Sequence, residues 1–178
     1  MTSQIKYIFQ GMVFIGLSLN LQNAFATDWF YFEVGASRGS VTVLDTEFNP
    51  VMPRAKMGVA LYEGILLEVQ YMGGGDDKVA NTKMEIEEVS AAYLRLDTPF
   101  RGSMRLYVLL GSAETTLNIK GAGGTTAGSG TYKDFSWGVG IEDRVWSKYT
   151  LLTLEHTSYY NHDDVSIEAT SLGFKLEF

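Results

Sequence analysis

The chain closes on Ser171-Leu172-Gly173-Phe174-Lys175-Leu176-Glu177-Phe178, a run that alternates polar and apolar and stops on an aromatic. Successive side chains of a strand point to opposite faces. Leu172, Phe174, Leu176 and Phe178 therefore share an apolar face, and Ser171, Gly173, Lys175 and Glu177 share a polar one. Lipid accepts backbone only where every N–H and C=O is bonded inside the structure, so a sheet that crosses a membrane must close on itself. A strand that is apolar along one whole face and ends on Phe is what such a closed sheet requires as its last member.

The other end of the chain is read independently. Lys6 is the sole charge before residue 27, residues 8–21 are mostly apolar but broken by Gln10, Ser18, Asn20 and glycines, and Ala24-Phe25-Ala26 supplies a small-x-small cleavage site. A spanning helix needs about 20 apolar residues without interruption. Residues 1–26 are therefore expected to be a removed secretion signal, leaving 27–178 as one outer-membrane barrel domain.

Composition agrees. Cysteine is absent, so an exported chain of this kind gains its stability from sheet closure and not from disulfides. Without its first 26 residues the chain carries a net charge of −8, which excludes nucleic acid as a natural partner. A mature chain of 152 residues supplies about eight strands of roughly ten residues with their connections, the smallest barrel size. The expected fold is all-β, an eight-stranded antiparallel transmembrane barrel.

Eight alternating stretches can be followed. Residues 29–37 place Phe30, Phe32, Val34 and Ala36 on one face, and 54–62 return with Ala55, Met57, Val59 and Leu61. Ile65, Leu67, Val69 and Tyr71 follow the Glu63-Gly64 turn. Residues 83–96 carry Met84, Ile86, Ala92, Leu94 and Leu96, and 104–110 carry Met104, Leu106, Val108 and Leu110. Phe135, Trp137, Val139 and Ile141 mark the sixth, Leu152 and Leu154 the seventh, and 165–178 the eighth. Short turns are expected at 63–64, 97–102 and 145–148, and long connections at 38–53, 73–82, 114–132 and 159–164. All the long ones fall on one side, which is the pattern of short periplasmic turns and long extracellular loops, with both termini periplasmic. The glycine-rich 121–130 lacks a Gly-Lys-Ser/Thr ending and reads as loop, not phosphate cradle.

The polar parity carries charge of both signs: Glu33, Glu68, Glu142 and Glu155 with Lys56, Arg95, Arg105 and Lys175. An eight-stranded barrel is only wide enough for its own side chains. Charges placed there must pair or bear a large desolvation cost, so this set is expected to form a salt-bridged polar network in a filled lumen. No cofactor and no metal site is expected. His162, Asp163 and Asp164 read as a solvated acidic tip.

With these features the mature chain resembles the small OmpA-like and OmpX-like outer-membrane β-barrel domains, the "porin family" proteins. The resemblance rests on the leader, on Leu67-Glu68-Val69-Gln70-Tyr71 and Leu154-Glu155-His156 with their inward Glu, on Arg105 to Gly111, and on Leu172 to Phe178. It implies a monomer in the Gram-negative outer membrane, in contact with lipid and lipopolysaccharide. The role implied is structural, adhesive or ligand-binding, exerted through extracellular loops. Leu172, Phe174, Leu176 and Phe178 would be the C-terminal signal read by the barrel-assembly machinery.

A second resemblance is more specific chemically. His156-Thr157-Ser158 followed by Glu168 is similar to the His-x-Ser plus Glu arrangement of the lipid A 3-O-deacylase family, also eight-stranded barrels. It implies Ser158 as nucleophile, His156 as base and Glu168 as the orienting acid. A hairpin turning about residue 162 would pair His156 with Glu168. That family has Asn after the serine, whereas this chain has Tyr159, and the acid lies two residues closer to the histidine.

Overall fold

The computed structural model describes residues 29–43, 46–79, 82–120, 126–162 and 165–178. The secretion signal expected over 1–26 lies outside the described residues. The strands are β1 (Phe30–Val43), β2 (Thr46–Phe48), β3 (Val51–Tyr62), β4 (Ile65–Val79), β5 (Thr82–Asp97), β6 (Met104–Lys120), β7 (Thr126–Arg144), β8 (Thr150–His162) and β9 (Val165–Glu177). Every neighbouring pair is antiparallel, and β1 bonds to both β3 and β9, which closes an eight-stranded barrel; β2 is an added strand beside the far end of β1. Trp29, Phe178 and the turns at 63–64, 98–103 and 145–149 share one end, here the lower end.

The turns at the lower end fall where the sequence places them. The long connections do not. β1 runs to Val43 and β2 and β3 fill most of 46–62, β4 runs to Val79, β6 and β7 extend to Lys120 and from Thr126, and β8 continues through His162. Of the stretches expected as loops, 38–53, 73–82, 114–132 and 159–164 are largely strand. The expected loop 121–130 is strand from Thr126 onward, and 121–125 lie outside the described residues.

The reason is a reversal of sidedness along the strands. In the lower half Phe32, Val34, Leu94, Val108, Leu110, Val139, Leu154 and Leu172 point outward and are exposed, while Glu33, Lys56, Glu68, Arg95, Glu142, Glu155 and Lys175 point inward and are buried. Above the level of Ala36, Ala92 and Leu172 the same alternation carries the opposite chemistry. Val41, Phe48, Met52, Met72, Met84, Ile86, Val89, Leu117, Ile167 and Ala169 pack inside as one apolar core, and Arg38, Glu88, Glu114, Lys133 and Thr170 stand exposed outside. The upper half is thus built like a water-soluble β-protein standing on a lipid-facing one.

The two halves also differ in closure. Among the described residues, the β3–β4 ladder ends at Arg54 with Met72, and the β7–β8 ladder ends at Trp137 with Ser158. Beyond these rungs the barrel becomes two four-stranded sheets that share the apolar core, β4-β5-β6-β7 and one of β1, β9 and β8 whose edge beside β1 is formed first by Val51–Pro53 of β3 and then by β2. Side chains span the two seams. The Asn49 N–H donates to Asp77 Oδ2 at 2.6 Å, which with the Lys78 N–H holds that carboxyl below the usual carboxylate range. Across the other seam His162 Nε2 lies 3.0 Å from Asp134 Oδ2, and the Tyr132 and Tyr160 rings meet edge-on at 5.2 Å.

Candidate functional site

All eight inward charges singled out in the sequence meet in the lower half, and the structure adds three more. Arg54, with the same parity as Lys56, donates to Glu33 and to Glu155 at 2.6 Å each. Asp97 and Glu177, at the lower ends of β5 and β9, take Arg95 at 2.6 Å and Lys175 at 3.1 Å. Five cations, Arg54, Lys56, Arg95, Arg105 and Lys175, thereby face six carboxylates, Glu33, Glu68, Asp97, Glu142, Glu155 and Glu177.

These pairs are links in one network. Arg105 Nε meets Glu142 at 2.6 Å, and Arg105 also bonds Glu177. Glu142 takes Arg95 at 2.6 Å and Lys175 at 2.5 Å. Arg95 reaches Glu68 at 3.4 Å, Glu68 meets Lys56 at 3.4 Å, and Lys56 donates to Glu155 at 2.7 Å. Glu155 is the hub. Besides Arg54 and Lys56 it accepts from Tyr107 at 2.8 Å, Thr157 at 3.1 Å and Gln70 at 3.2 Å. Glu68, Glu142 and Glu155 each have the several donors that such burial demands, whereas Glu33 accepts from Arg54 through Oε1 and has Lys56 at 3.4 Å from Oε2.

Aromatic rings complete the packing. The Arg95 guanidinium lies 3.8 Å from the Tyr107 ring centre and 5.3 Å from that of Tyr31, and Tyr31 also bonds Glu68. Both rings lie over directly paired glycines, Gly58 beneath Tyr31 and Gly140 beneath Tyr107, where an added Cβ would fall 2.2 Å and 2.1 Å from ring carbons. At the lower mouth Phe100 sits between Arg105 at 4.6 Å and Arg144 at 3.5 Å. At the top of the network Tyr159 donates to Gln70 at 3.2 Å and Tyr93 bonds Ser136 at 2.7 Å, and the apolar core begins there. None of these tyrosines stood out in the sequence, although their inward parity was readable.

The His156, Ser158 and Glu168 set is placed differently from the expected pairing. The β8–β9 ladder runs to His162 paired with Val165, so that His156 pairs with Thr170 and Ser158 with Glu168. Tyr159 keeps the inward parity of Glu155 and Thr157 and is buried as the extra residue of the bulge between Ser158 and Tyr160, and Ser158 itself is buried at 6% exposure. His156 bonds Thr170 at 3.1 Å through Nδ1 and approaches Glu168 at 3.7 Å through Nε2. Among the described residues no hydrogen bond joins Ser158 Oγ to His156, so the base-to-nucleophile contact of an esterase is not made.

On the outside of β9, Leu172 and Phe178 are exposed at 60% and 64%, and Leu176 shares their face. The Phe178 ring lies 6.2 Å from that of Phe30, and Phe174 lies 5.7 Å from Trp146.

No family model matches the chain, and no curated protein matches its sequence. Solved structures do match in shape. Neisserial surface protein A aligns with a TM-score of 0.70 and 16% identity, over 84% of this chain and 97% of that one. Ail, the attachment invasion locus protein of Yersinia pestis, aligns at 0.65 and 13%, over 85% and 100%. OprG, an outer-membrane protein of Pseudomonas aeruginosa, aligns at 0.59 and 9%, over 84% and 95%. At these identities the likeness concerns the fold, and by it the chain has the architecture of the small outer-membrane β-barrels.

Proposed function

We propose that this chain is a closed, non-conducting barrel of the Gram-negative outer membrane whose projecting upper half serves structural, adhesive or ligand-binding contact at the cell surface. The observation that carries the reading is the reversal of sidedness. A band that is apolar outside and charged inside suits lipid, and a segment with an apolar inside and a polar outside suits water. In this reading residues 1–26 direct export and are removed, the lower half is held in lipid and lipopolysaccharide as a monomer, and the outward face of β9 is read by the barrel-assembly machinery.

Two observations support a filled lumen. The charged network, with its tyrosines, occupies the lower interior, and the apolar core lies across the same axis above it. Contact with partners would then be made by ordered strand faces and short tips, not by the long loops expected from the sequence. Ail, similar in fold, is the attachment invasion locus protein of Yersinia pestis, and the polar outer face of the upper half gives this chain a surface suited to such contact. Planar-bilayer recordings of the folded protein test the closed lumen. No steady channel is expected, and a reproducible conductance of porin size would overturn the reading.

A further inference from the structure

We infer that the turn Val145–Tyr149 anchors the barrel in the headgroup layer of the periplasmic leaflet, with Trp146 as the anchor and a phospholipid headgroup as its partner; this rests on the membrane reading above. Trp146 has a φ of 58°, whereas the other described residues with positive φ are Gly64, Gly74 and Gly102. The Ser147 N–H donates to the Val145 carbonyl at 2.6 Å, closing a three-residue turn centred on Trp146. With positive φ at its centre that turn is the rare, strained form, and a bulky side chain is the least suited to it.

The strain is held in place and not relaxed. Val145 N–H bonds the Thr150 carbonyl at 2.9 Å, Ser147 Oγ meets Thr150 Oγ1 at 2.8 Å, and Tyr149 N–H donates to Ser147 Oγ at 3.2 Å. The geometry thrusts the indole out to 88% exposure, the highest among the large apolar side chains described. In water both features count against the residue, since glycine here would relieve the backbone and remove an exposed ring. Both become useful if the ring has a partner outside the chain.

Position identifies that partner. The indole leans on Phe174, an outward residue of β9, so it continues the apolar band at its lower margin and does not turn under the mouth. Beside it Lys148 Nζ lies 4.5 Å from the Tyr149 ring. An amphipathic ring with an N–H, flanked by an ammonium and a phenol, matches the boundary between acyl chains and phosphates.

The test uses two single-tryptophan proteins folded into phosphatidylethanolamine and phosphatidylglycerol vesicles doped with brominated lipid. One keeps Trp146 (Trp29→Phe, Trp137→Phe) and the other keeps Trp137 (Trp29→Phe, Trp146→Phe), which lies higher on the outward face. Trp146 emission should be blue-shifted from that in urea and quenched more strongly by bromines near the headgroup than by deep ones. Water-like, unquenched Trp146 with quenched Trp137 would overturn the anchor and leave the membrane reading standing; if neither is quenched, both fall. In the parent background Trp146→Gly should lower the urea midpoint in vesicles, and a raised midpoint would show that only the strain had mattered.

Discussion

Glu155→Gln should be among the most damaging single changes that keep residue size constant. The carboxylate lies inside the barrel with Arg54 and Lys56 at 2.6 Å and 2.7 Å and three neutral donors around it. Glutamine preserves the volume and one acceptor oxygen but removes the charge. Arg54 then keeps only Glu33 at 2.6 Å, and Lys56 keeps only Glu33 and Glu68, each at 3.4 Å. Breaking a buried pair by removing one member costs about 3–5 kcal/mol, because the remaining charge stays desolvated. At about 1.4 kcal/mol per power of ten, the folded population relative to unfolded should fall between roughly a hundredfold and a few thousandfold. With a slope of about 2 kcal/mol per molar urea, the midpoint in vesicles should drop by about 1.5–2.5 M. Adding Lys56→Met removes the stranded ammonium, and the double variant should recover more than half of the loss. A Glu155→Gln shift below about 0.5 kcal/mol, the size of an ordinary surface change, would refute the account of Glu155 as hub.

Three further outcomes follow from the upper half. Leu117→Ala should destabilise by about 2–4 kcal/mol, as a core truncation does, whereas Glu114→Ala on the outward face of the same strand should stay within about 0.5 kcal/mol; equal costs would contradict the reversal of sidedness. His162→Ala should quicken amide exchange in 131–136 and 159–162 with little change in global stability, because side chains and not a ladder span that seam, and unchanged exchange would count against the latch. The Asp77 carboxyl is held low by the Asn49 and Lys78 N–H groups, so its contribution is complete above the ordinary carboxylate pKa of about 3.9 and is lost as pH falls through the lower folded value. Protection of the Asn49 amide, corrected for intrinsic rate, should therefore weaken in strong acid, and protection unaltered there would exclude Asp77 as its partner.

The alternation itself was legible. Phe30 to Ala36, Leu106 to Leu110 and Leu172 to Phe178 show it plainly, and parity alone set Glu33, Lys56, Glu68 and Glu155 apart from their apolar neighbours. What failed was the assumption that the apolar face always looks outward. Val41, Ile86, Leu117 and Ile167 keep the period of two, but their phase relative to the outside is reversed, so fully formed strands read as connections. The bulge at Ile86/Glu88 shifts the count by one, so Met84 and Ile86, which share the sequence parity of outward Leu94, lie inside with Val89 and Tyr93; Tyr159 keeps the parity of Glu155 and was passed over because 159–164 read as a connection. Arg54 shares the parity of Lys56 and was passed over because it stands where a strand was taken to begin. Period-two patterning is a local property, and the sequence by itself therefore determined strands, lower turns and faces. Which face meets lipid, which water and which the core depends on closure of the sheet. So does the meeting of Arg54 with Glu155, 101 residues apart along the chain. Those were decided only by the tertiary structure, because the stagger of a closed barrel is set by all its strands together.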